Sequence, residues 1–387
     1  MIPIRYNVRS LIVRKRTTLA AAFGLALVVW VFASAQMLSS GLKKTFGRNA
    51  SPNVAVVLRK GSNSEIQSTV SDKDASIAIA HAQQLGAIGK PAGIREAFTV
   101  IILERASGNG VSNVPVRGVS DGSLAFRSTA RIIAGVAPKP GSDEVLVGKS
   151  IRGRFKGLDI GQSFELKKNR PVKVVGVFTD GGSAYESEVW ADLDTVRQSF
   201  GREGLVSSVR VRFDKAGALS TYKSLIEGDK QLGLSVMSEP AFLAKQSSST
   251  AGVLGFVGTL VSFFFAIGAM IGATITMNAQ VAGRTREIGT LRALGFSRTG
   301  ILFSFLLESM ALALAGGVIG AVASIAMSAV KLTMVNNGTW SLVVFGFEPT
   351  PGIIIGSLIA AVVMGLIGGF LPSLRAARIS PIQAMRE

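Results

Sequence analysis

Cysteine is absent from this 387-residue chain and histidine occurs once, at His81. Without cysteine, any domain exported to an oxidising compartment must hold together without disulfides. Without a second histidine, zinc and copper sites of the usual kinds are excluded as well. No G-x-x-x-x-G-K-[ST] loop occurs, so the chain does not by itself bind ATP in that manner, and Gly-x-Ser-x-Gly is missing too. EF-hand spacing is lacking, which leaves only a carboxylate-only calcium site open. Asp72/Asp74, Asp143/Glu144 and Asp192/Asp194 are paired carboxylates, each more simply a turn or helix-start feature. His81 falls in a predicted helix and reads as a surface or capping residue. The expectation is a non-enzyme with no cofactor or metal of its own.

Charge is scarce too, at 17% of residues, where a soluble protein carries about 25%. The deficit is local: residues 17–42, 246–283, 309–330 and 349–374 contain no Asp, Glu, Lys or Arg. Each tract reaches the ~20 residues that cross a bilayer's hydrocarbon core. Helices buried in a large soluble core are the alternative. Four such tracts, each flanked by charge, are hard to house that way.

The net charge of +18 invites a nucleic-acid partner, and its distribution argues against one. Residues 41–245 hold 29 Lys+Arg against 20 Asp+Glu, a mild excess spread over a whole domain. The remainder holds 13 against 4, nearly all at the ends of apolar runs. Arg5, Arg9, Arg14, Lys15 and Arg16 precede the first run. Arg284, Arg286, Arg292 and Arg298 lie between the second and third, and Arg375, Arg378 and Arg386 follow the fourth. This positive-inside pattern places both termini and the 279–300 segment in the cytoplasm. The first run also fits a cleavable signal peptide, with small residues at Ala33-Ser34-Ala35. Its length, which continues past those residues, favours a retained span.

The predicted fold class is an α-helical membrane protein with four transmembrane helices and a large mixed α/β extracytoplasmic domain between the first and second. The expected division begins with a cytoplasmic N-terminus over 1–16, a span over 17–40 and the extracytoplasmic domain over 41–249. A span over 250–278, a cytoplasmic coupling helix over 279–300 and a span over 301–330 come next. An extracytoplasmic loop over 331–349, a span over 350–372 and a cytoplasmic C-terminus over 373–387 complete it.

Within the external domain, 72–86 is predicted helical, with Asp72 or Asp74 near its N-cap. Residues 54–59 are a short apolar stretch, strands are predicted at 97–104, 114–119, 144–148 and 162–167, 172–178 is a valine-rich run, and 234–237 follows the last helix predicted in the domain. Residues 207–213 alternate, setting Val209, Val211 and Phe213 on one face, and 216–227 reads as a helix. The order suggests two interleaved lobes. Glycines four apart (Gly268/Gly272, Gly316/Gly320, Gly352/Gly356) are candidate helix-contact faces, although glycine is common in membrane helices anyway. Glu308, the lone acid of the third run, would either make a polar contact to the bundle or reach toward the interface, and the second is expected.

Between the second and third runs lies Arg284-Thr-Arg-Glu-Ile-Gly-Thr-Leu-Arg-Ala-Leu-Gly295. Taking Gln280–Arg298 as a helix, Ile288, Leu291 and Leu294 form an apolar stripe, and Arg284 and Glu287 are i,i+3 neighbours. Gly295 suits a C-terminal stop, with Phe296 beyond it. The stripe is short for a membrane anchor and sits beside mixed charges, as a partner's grip would require; an interfacial anchoring helix is the plainer alternative.

This stretch resembles the coupling segment of the FtsX-like, MacB-like ABC transporter permeases, a mechanotransmission group that includes the MacB macrolide exporter and the lipoprotein-releasing LolC/LolE subunits. Pro372-Ser-Leu-Arg-Ala-Ala-Arg-Ile-Ser-Pro-Ile-Gln-Ala-Met-Arg386 resembles the family's terminal pattern, and one span, a large external domain and three spans is its arrangement. The resemblance implies an inner-membrane permease working as a homodimer or with a related permease, driven by a cytoplasmic ABC ATPase that uses ATP and magnesium. With 16 residues before the first run, that ATPase is expected on a separate chain. Arg284, Arg286, Glu287, Ile288, Leu291, Arg292, Leu294 and Gly295 would couple to it. The external domain would engage cargo, a lipid, lipoprotein, peptide or drug, or a periplasmic adaptor. The other implied role is regulation of a cell-wall hydrolase or a sensor partner without cargo transport.

Overall fold

The computed structural model describes residues 15–108, 110–336 and 340–380. The first uncharged tract lies within α1 (Lys15–Gly47). Then follow β1 (Val54–Arg59), β2 (Val70–Ser71), α2 (Asp72–Gln84), β3 (Gly93–Glu104), β4 (Val111–Val119), α3 (Ser123–Phe126), β5 (Arg131–Gly135) and β6 (Glu144–Gly148). Next come β7 (Ser163–Lys167), β8 (Arg170–Thr179), β9 (Val189–Asp192), α4 (Leu193–Phe200), β10 (Leu205–Val206), β11 (Ser208–Arg212), α5 (Ala216–Gly228) and β12 (Leu234–Ser238). The remainder is α6 (Glu239–Ala282), α7 (Thr285–Ala293), α8 (Arg298–Ala326), the strands β13 (Lys331–Asn336) and β14 (Ser341–Gly346), and α9 (Pro351–Arg378). Among the described residues α1, α6, α8 and α9 are long and apolar enough to cross a membrane. Of the basic and C-terminal patterns, the residues before 15 and after 380 lie outside those described.

Residues 41–252 and 331–346 form one compact unit. Its main sheet has ten strands in the order β12-β1-β11-β3-β4-β9-β6-β8-β5, with β7 added beside β8. Instead of two lobes, a single sheet threads early and late segments together: β1 lies between β11 and β12. Burial follows the alternation of the chain. In β7, Phe164 and Leu166 are buried while Ser163, Glu165 and Lys167 are exposed. Val209 and Val211 of β11 join Val57, Val116, Val147 and Val174 in one apolar core. Ser71, rather than Asp72 or Asp74, caps α2 by accepting from the Asp74 N–H. Tyr222 of α5 donates to the Ala78 carbonyl at 2.9 Å, tying α5 to α2.

The stretch expected as a loop over 331–349 is largely the hairpin β13–β14. Leu342 and Val344 enter the domain core, and the Val344 N–H donates to the Ser187 hydroxyl at 3.0 Å. Asn336 is buried and donates to the Gln246 carbonyl at 3.1 Å, binding the hairpin to the head of α6.

Among the described residues the helical unit comprises 15–40, 253–330 and 347–380. Its packing depends on small residues, because apolar burial gives little drive between helices in lipid. A Cβ at Gly316 would lie 2.6 Å from the Ala22 carbonyl of α1, and Gly320 meets α1 backbone at Ala26 and Trp30. A Cβ at Gly317 would stand 2.7 Å from Ala361 of α9. Ser309 of α8 donates to the Gly365 carbonyl at 2.6 Å, and Thr274 of α6 to that of Gly368 at 2.8 Å. Of the three expected glycine pairs, only Gly316/Gly320 is a contact face. Gly268, Gly272, Gly352 and Gly356 meet nothing within 4 Å.

This contrast is testable by thermal unfolding in detergent. Gly316→Val is expected to destabilise the protein by about 1–3 kcal/mol through overpacking against α1. Gly268→Ala should leave it unchanged or slightly stabilised, because a helical glycine costs about 1 kcal/mol relative to alanine.

Candidate functional site

The segment between the second and third spans is not one helix. α6 ends at Ala282, Gly283 and Arg284 interrupt, and α7 runs for nine residues. The interruption has two causes. Gly283 is a weak helix former, and Arg284 commits its side chain to another helix. Its Nη1 and Nη2 donate to Glu308 Oε2 and Oε1 of α8, both at 3.0 Å, with the side chains 4% and 2% exposed. Glu308 therefore does not reach toward the interface, and Arg284 does not spend its guanidinium on Glu287. At the far end the Gly295 N–H donates to the Arg292 carbonyl and the Phe296 N–H to that of Leu291, with Gly295 at φ 91. This is a Schellman stop, in a backbone conformation that glycine adopts without strain. Ser297 then caps α8 through the Gly300 N–H at 3.1 Å.

The eight expected coupling residues divide by direction. Arg284 and Ile288 point inward, Ile288 packing with Met277 and Val281 of α6, Ile301 and Phe305 of α8 and Ala376 of α9. Leu291 and Arg292 are half-buried, and Arg292 Nη1 donates to the Phe296 carbonyl at 3.1 Å. Arg286, Glu287, Leu294 and Gly295 face outward, with Leu294 72% exposed. The short helix is thus fixed on one side and presents a mixed polar and apolar surface on the other.

A second constellation lies in the external domain. Residues 209 and 211 of β11 face the apolar core, so Arg210 faces the opposite side of the sheet. Strand register brings Glu96 of β3 and Arg117 of β4 to that side. Arg117 Nη1 meets Glu65 at 2.9 Å and Glu96 at 2.8 Å, and its Nε meets Glu188 at 2.7 Å. Arg210 meets Glu96 at 2.9 Å, Glu65 at 3.2 Å and Glu239 at 2.8 Å. Arg127 pairs with the other Glu96 oxygen. All seven of these ionic side chains are at least nine-tenths buried. Glu239 is the first residue of α6, and its Oε2 accepts from the Ser51 N–H at 3.0 Å. One carboxylate thereby joins β11, the head of α6 and the segment following α1.

No local pattern announces this network, since its members are scattered from 65 to 239. The one available signal is Ser208-Val-Arg-Val-Arg212, where alternation that buries valines on one face leaves two arginines together on the other.

Burial alone would push the Glu65 and Glu96 carboxyls up; the surrounding arginines override it and hold both below the ordinary 4.5. A carboxylate whose folded pKa is depressed stabilises the fold above its unfolded pKa, and that contribution is lost as pH falls through the folded one. Stability of the external domain is expected to be level from neutral pH to about 5 and to fall progressively below about 4.5. Glu96→Gln should cost about 3–5 kcal/mol at neutral pH, because it leaves buried arginine charge uncompensated. It should also weaken the acid dependence. Thermal unfolding followed through Trp190, whose indole donates to Glu188, checks both.

Two family profiles match the chain: the MacB-like periplasmic core domain over residues 17–228, and the FtsX-like permease C-terminal domain over residues 259–381. An uncharacterized ABC transporter permease of Methanocaldococcus jannaschii is 27% identical over 228 residues, 57% of this chain and 56% of that protein. The macrolide export ATP-binding/permease protein MacB of Neisseria gonorrhoeae is 26% identical over 233 residues, 57% of this chain and 35% of that protein. The ABC transporter permease YknZ of Bacillus subtilis is 28% identical over 229 residues, 56% of this chain and 54% of that protein. The matched regions thus span between 35% and 56% of the length of these curated relatives. The solved periplasmic region of MacB from Actinobacillus actinomycetemcomitans superposes with a TM-score of 0.39 at 16% identity, covering 50% of this chain and 92% of that one. With one profile over more than half of its length and the other over its last helices, the chain belongs to the FtsX/MacB-like ABC transporter permease family, as a multi-pass inner-membrane protein whose large mixed α/β domain is periplasmic.

Proposed function

We propose that this permease converts ATP-driven motion of an ABC ATPase into conformational change of its periplasmic domain, exporting or extracting a lipid, lipoprotein, peptide or drug. The observation that carries this reading is the buried Arg284–Glu308 pair. With Ile288 beside it, the pair fixes α7 to α8 and α6, so a push on the outward residues Arg286, Glu287, Leu294 and Gly295 reaches two spans at once. α6 continues as one helix from Ala282 back to Glu239, a contour of about 66 Å at 1.5 Å per residue. It begins at the carboxylate that ties it to the periplasmic sheet.

The positive-inside pattern supports a cytoplasmic α7 and cytoplasmic termini. The 387 residues hold no phosphate loop, so the ATP- and magnesium-binding engine lies outside them. Such engines close as pairs, which calls for two permease copies or a related pair. Among the described residues the membrane helices carry no row of charges such as a cytosol-to-periplasm ion pathway needs. That favours cargo taken up from the periplasm or outer leaflet, directly or through an adaptor.

The test is ATPase stimulation in proteoliposomes with the ATPase that co-purifies with the chain. Leu294→Asp should reduce stimulation at least tenfold while membrane insertion and thermal stability stay unchanged. Arg284→Glu and Glu308→Arg should each lose both stability and coupling, and the double exchange should recover a measurable part. Undiminished stimulation in Leu294→Asp would overturn the assignment of α7 as the receiving surface.

A further inference from the structure

In the periplasmic sheet β7 pairs only with β8, and β3 beyond Glu96 pairs only with β4. Between these two edges lies a groove of about 650 Å³, within the size of ligand clefts. Its floor is the margin of the domain core: Ile101 and Leu103 of β3, Phe164 and Leu166 of β7, and Phe200 at the end of α4.

Backbone direction sets what the edges offer, because residues two apart on a strand hydrogen-bond to the same side. The Glu96 carbonyl accepts from the Ser207 N–H and the Glu104 carbonyl from the Lys156 N–H, whereas the Arg105 N–H donates to Gly110 on the β4 side. Val100 and Ile102 therefore face the groove, and no protein group among the described residues takes up their N–H or carbonyl. Residues 154–156 begin to pair along this edge, through the bridge between Phe155 and Arg105, then turn off at Gly157, whose φ is 81. Across the groove, the Lys173 N–H opposite Ser163 donates to Asp143, and Pro171 opposite Glu165 has no N–H. Glu165 thus also turns its backbone away from β8.

The rim is basic. Of its five charged residues, Lys156 and Glu104 pair at 2.6 Å, which leaves Glu165 against Lys167 and Lys168. Lys167 Nζ stands 5.5 Å from the Phe200 ring. Over the whole hairpin, residues 163–173, four Lys or Arg stand against one Glu, and of these Arg170 meets Asp143 at 3.2 Å.

An open strand edge is a template for another strand, and here two such edges flank an apolar floor under a basic rim. We propose that the groove receives an extended acidic segment of a periplasmic partner protein, added as a strand along Val100 and Ile102 with β7 on its other side. Alternate side chains of a strand point to opposite faces. Apolar residues of the segment settle on Ile101, Phe164 and Leu166, and the acidic residues between them reach Lys167 and Lys168. Main-chain bonds then supply affinity, and the alternating contacts supply specificity.

The probe is the heptapeptide Glu-Val-Asp-Leu-Glu-Val-Asp, fluorescein-labelled at its N-terminus. Its binding to the full-length chain in phosphatidylcholine nanodiscs is read by anisotropy. No ATPase is present, so peptide binding is measured separately from coupling at α7. Wild type should bind saturably. N-methylation at the three apolar residues removes strand donors but no charge, and should weaken binding about tenfold. Ile102→Pro removes an N–H without a partner, at an edge position that tolerates proline, and should weaken binding about tenfold while Ile102→Val stays near wild type. Lys167→Glu with Lys168→Glu, on an exposed turn, should also weaken it about tenfold, and Glu165→Gln should tighten it. Where Ile102→Pro lowers the unfolding temperature, the lysine pair and the N-methylated peptide decide alone. No saturable binding, equal binding of the N-methylated peptide, or unchanged binding after the lysine exchange overturns the site. A groove closed by a second copy would show peptide binding that falls as protein concentration rises. One closed by anionic lipid would release the peptide to phosphatidylglycerol vesicles. Either result overturns the partner segment.

Discussion

Arg284 and Glu308 lie buried side by side, and each supplies the other with a charged partner. An isolated buried charge costs several kcal/mol after relaxation, and a pair recovers that cost only with good geometry. Two parallel hydrogen bonds at 3.0 Å supply it. Such a pair adds little net stability beside an apolar substitute, yet it tolerates little displacement, since separating the partners strands both charges. Its effect on this chain is therefore geometric. α7 is too short to hold itself helical in water, and among the described residues the Arg284–Glu308 pair and Ile288 fasten it to α8.

The same constraint recurs at the other end of α6. Three arginines and four glutamates share the buried face of the periplasmic sheet, and Glu239 belongs both to that network and to the helix. An apolar core would let the head of α6 slide against its neighbours at modest cost. A buried ionic network does not, because each displaced group loses a charged partner in a low-dielectric environment. The hairpin β13–β14 adds a second fixed attachment through Asn336, and its strands connect over short links to α8 and α9.

Apolar tracts, strand alternation and the Gly295 stop were legible in the sequence, because each is a local regularity with a period or a required backbone conformation. Val209, Val211 and Phe213 announced their face; Ser163–Lys167 alternates as its burial does. Long-range pairing was not legible. Glu308 stood out as a lone acid, but nothing local pointed 24 residues back to Arg284. The network was invisible for the same reason, and Leu342-Val-Val-Phe345 has no alternation to distinguish a hairpin strand from an apolar loop. Glycine spacing overpredicted contacts. A G-x-x-x-G pair records only that close approach is allowed, and Gly316/Gly320 met a neighbouring backbone where Gly268/Gly272 did not.

Of the four spans α6 is the one least covered by the rest of the chain, although Thr274 and Gly258 still meet α9 and α1. Only 6% of its most apolar stretch is buried, against 33–39% in the other three spans. Gly268 and Gly272 instead border an apolar groove with Gly24 of α1, where no side chain interlocks. Van der Waals packing is what resists sliding between helices in lipid, so the least interlocked helix is the one that shifts at least cost. Stiffness from backbone hydrogen bonds along its length, ionic fixation at Glu239 and apolar fixation at Met277 and Val281 then act together. In α8 and α9 the order is reversed. Their interlocked glycines and serines hold them as a closely packed pair.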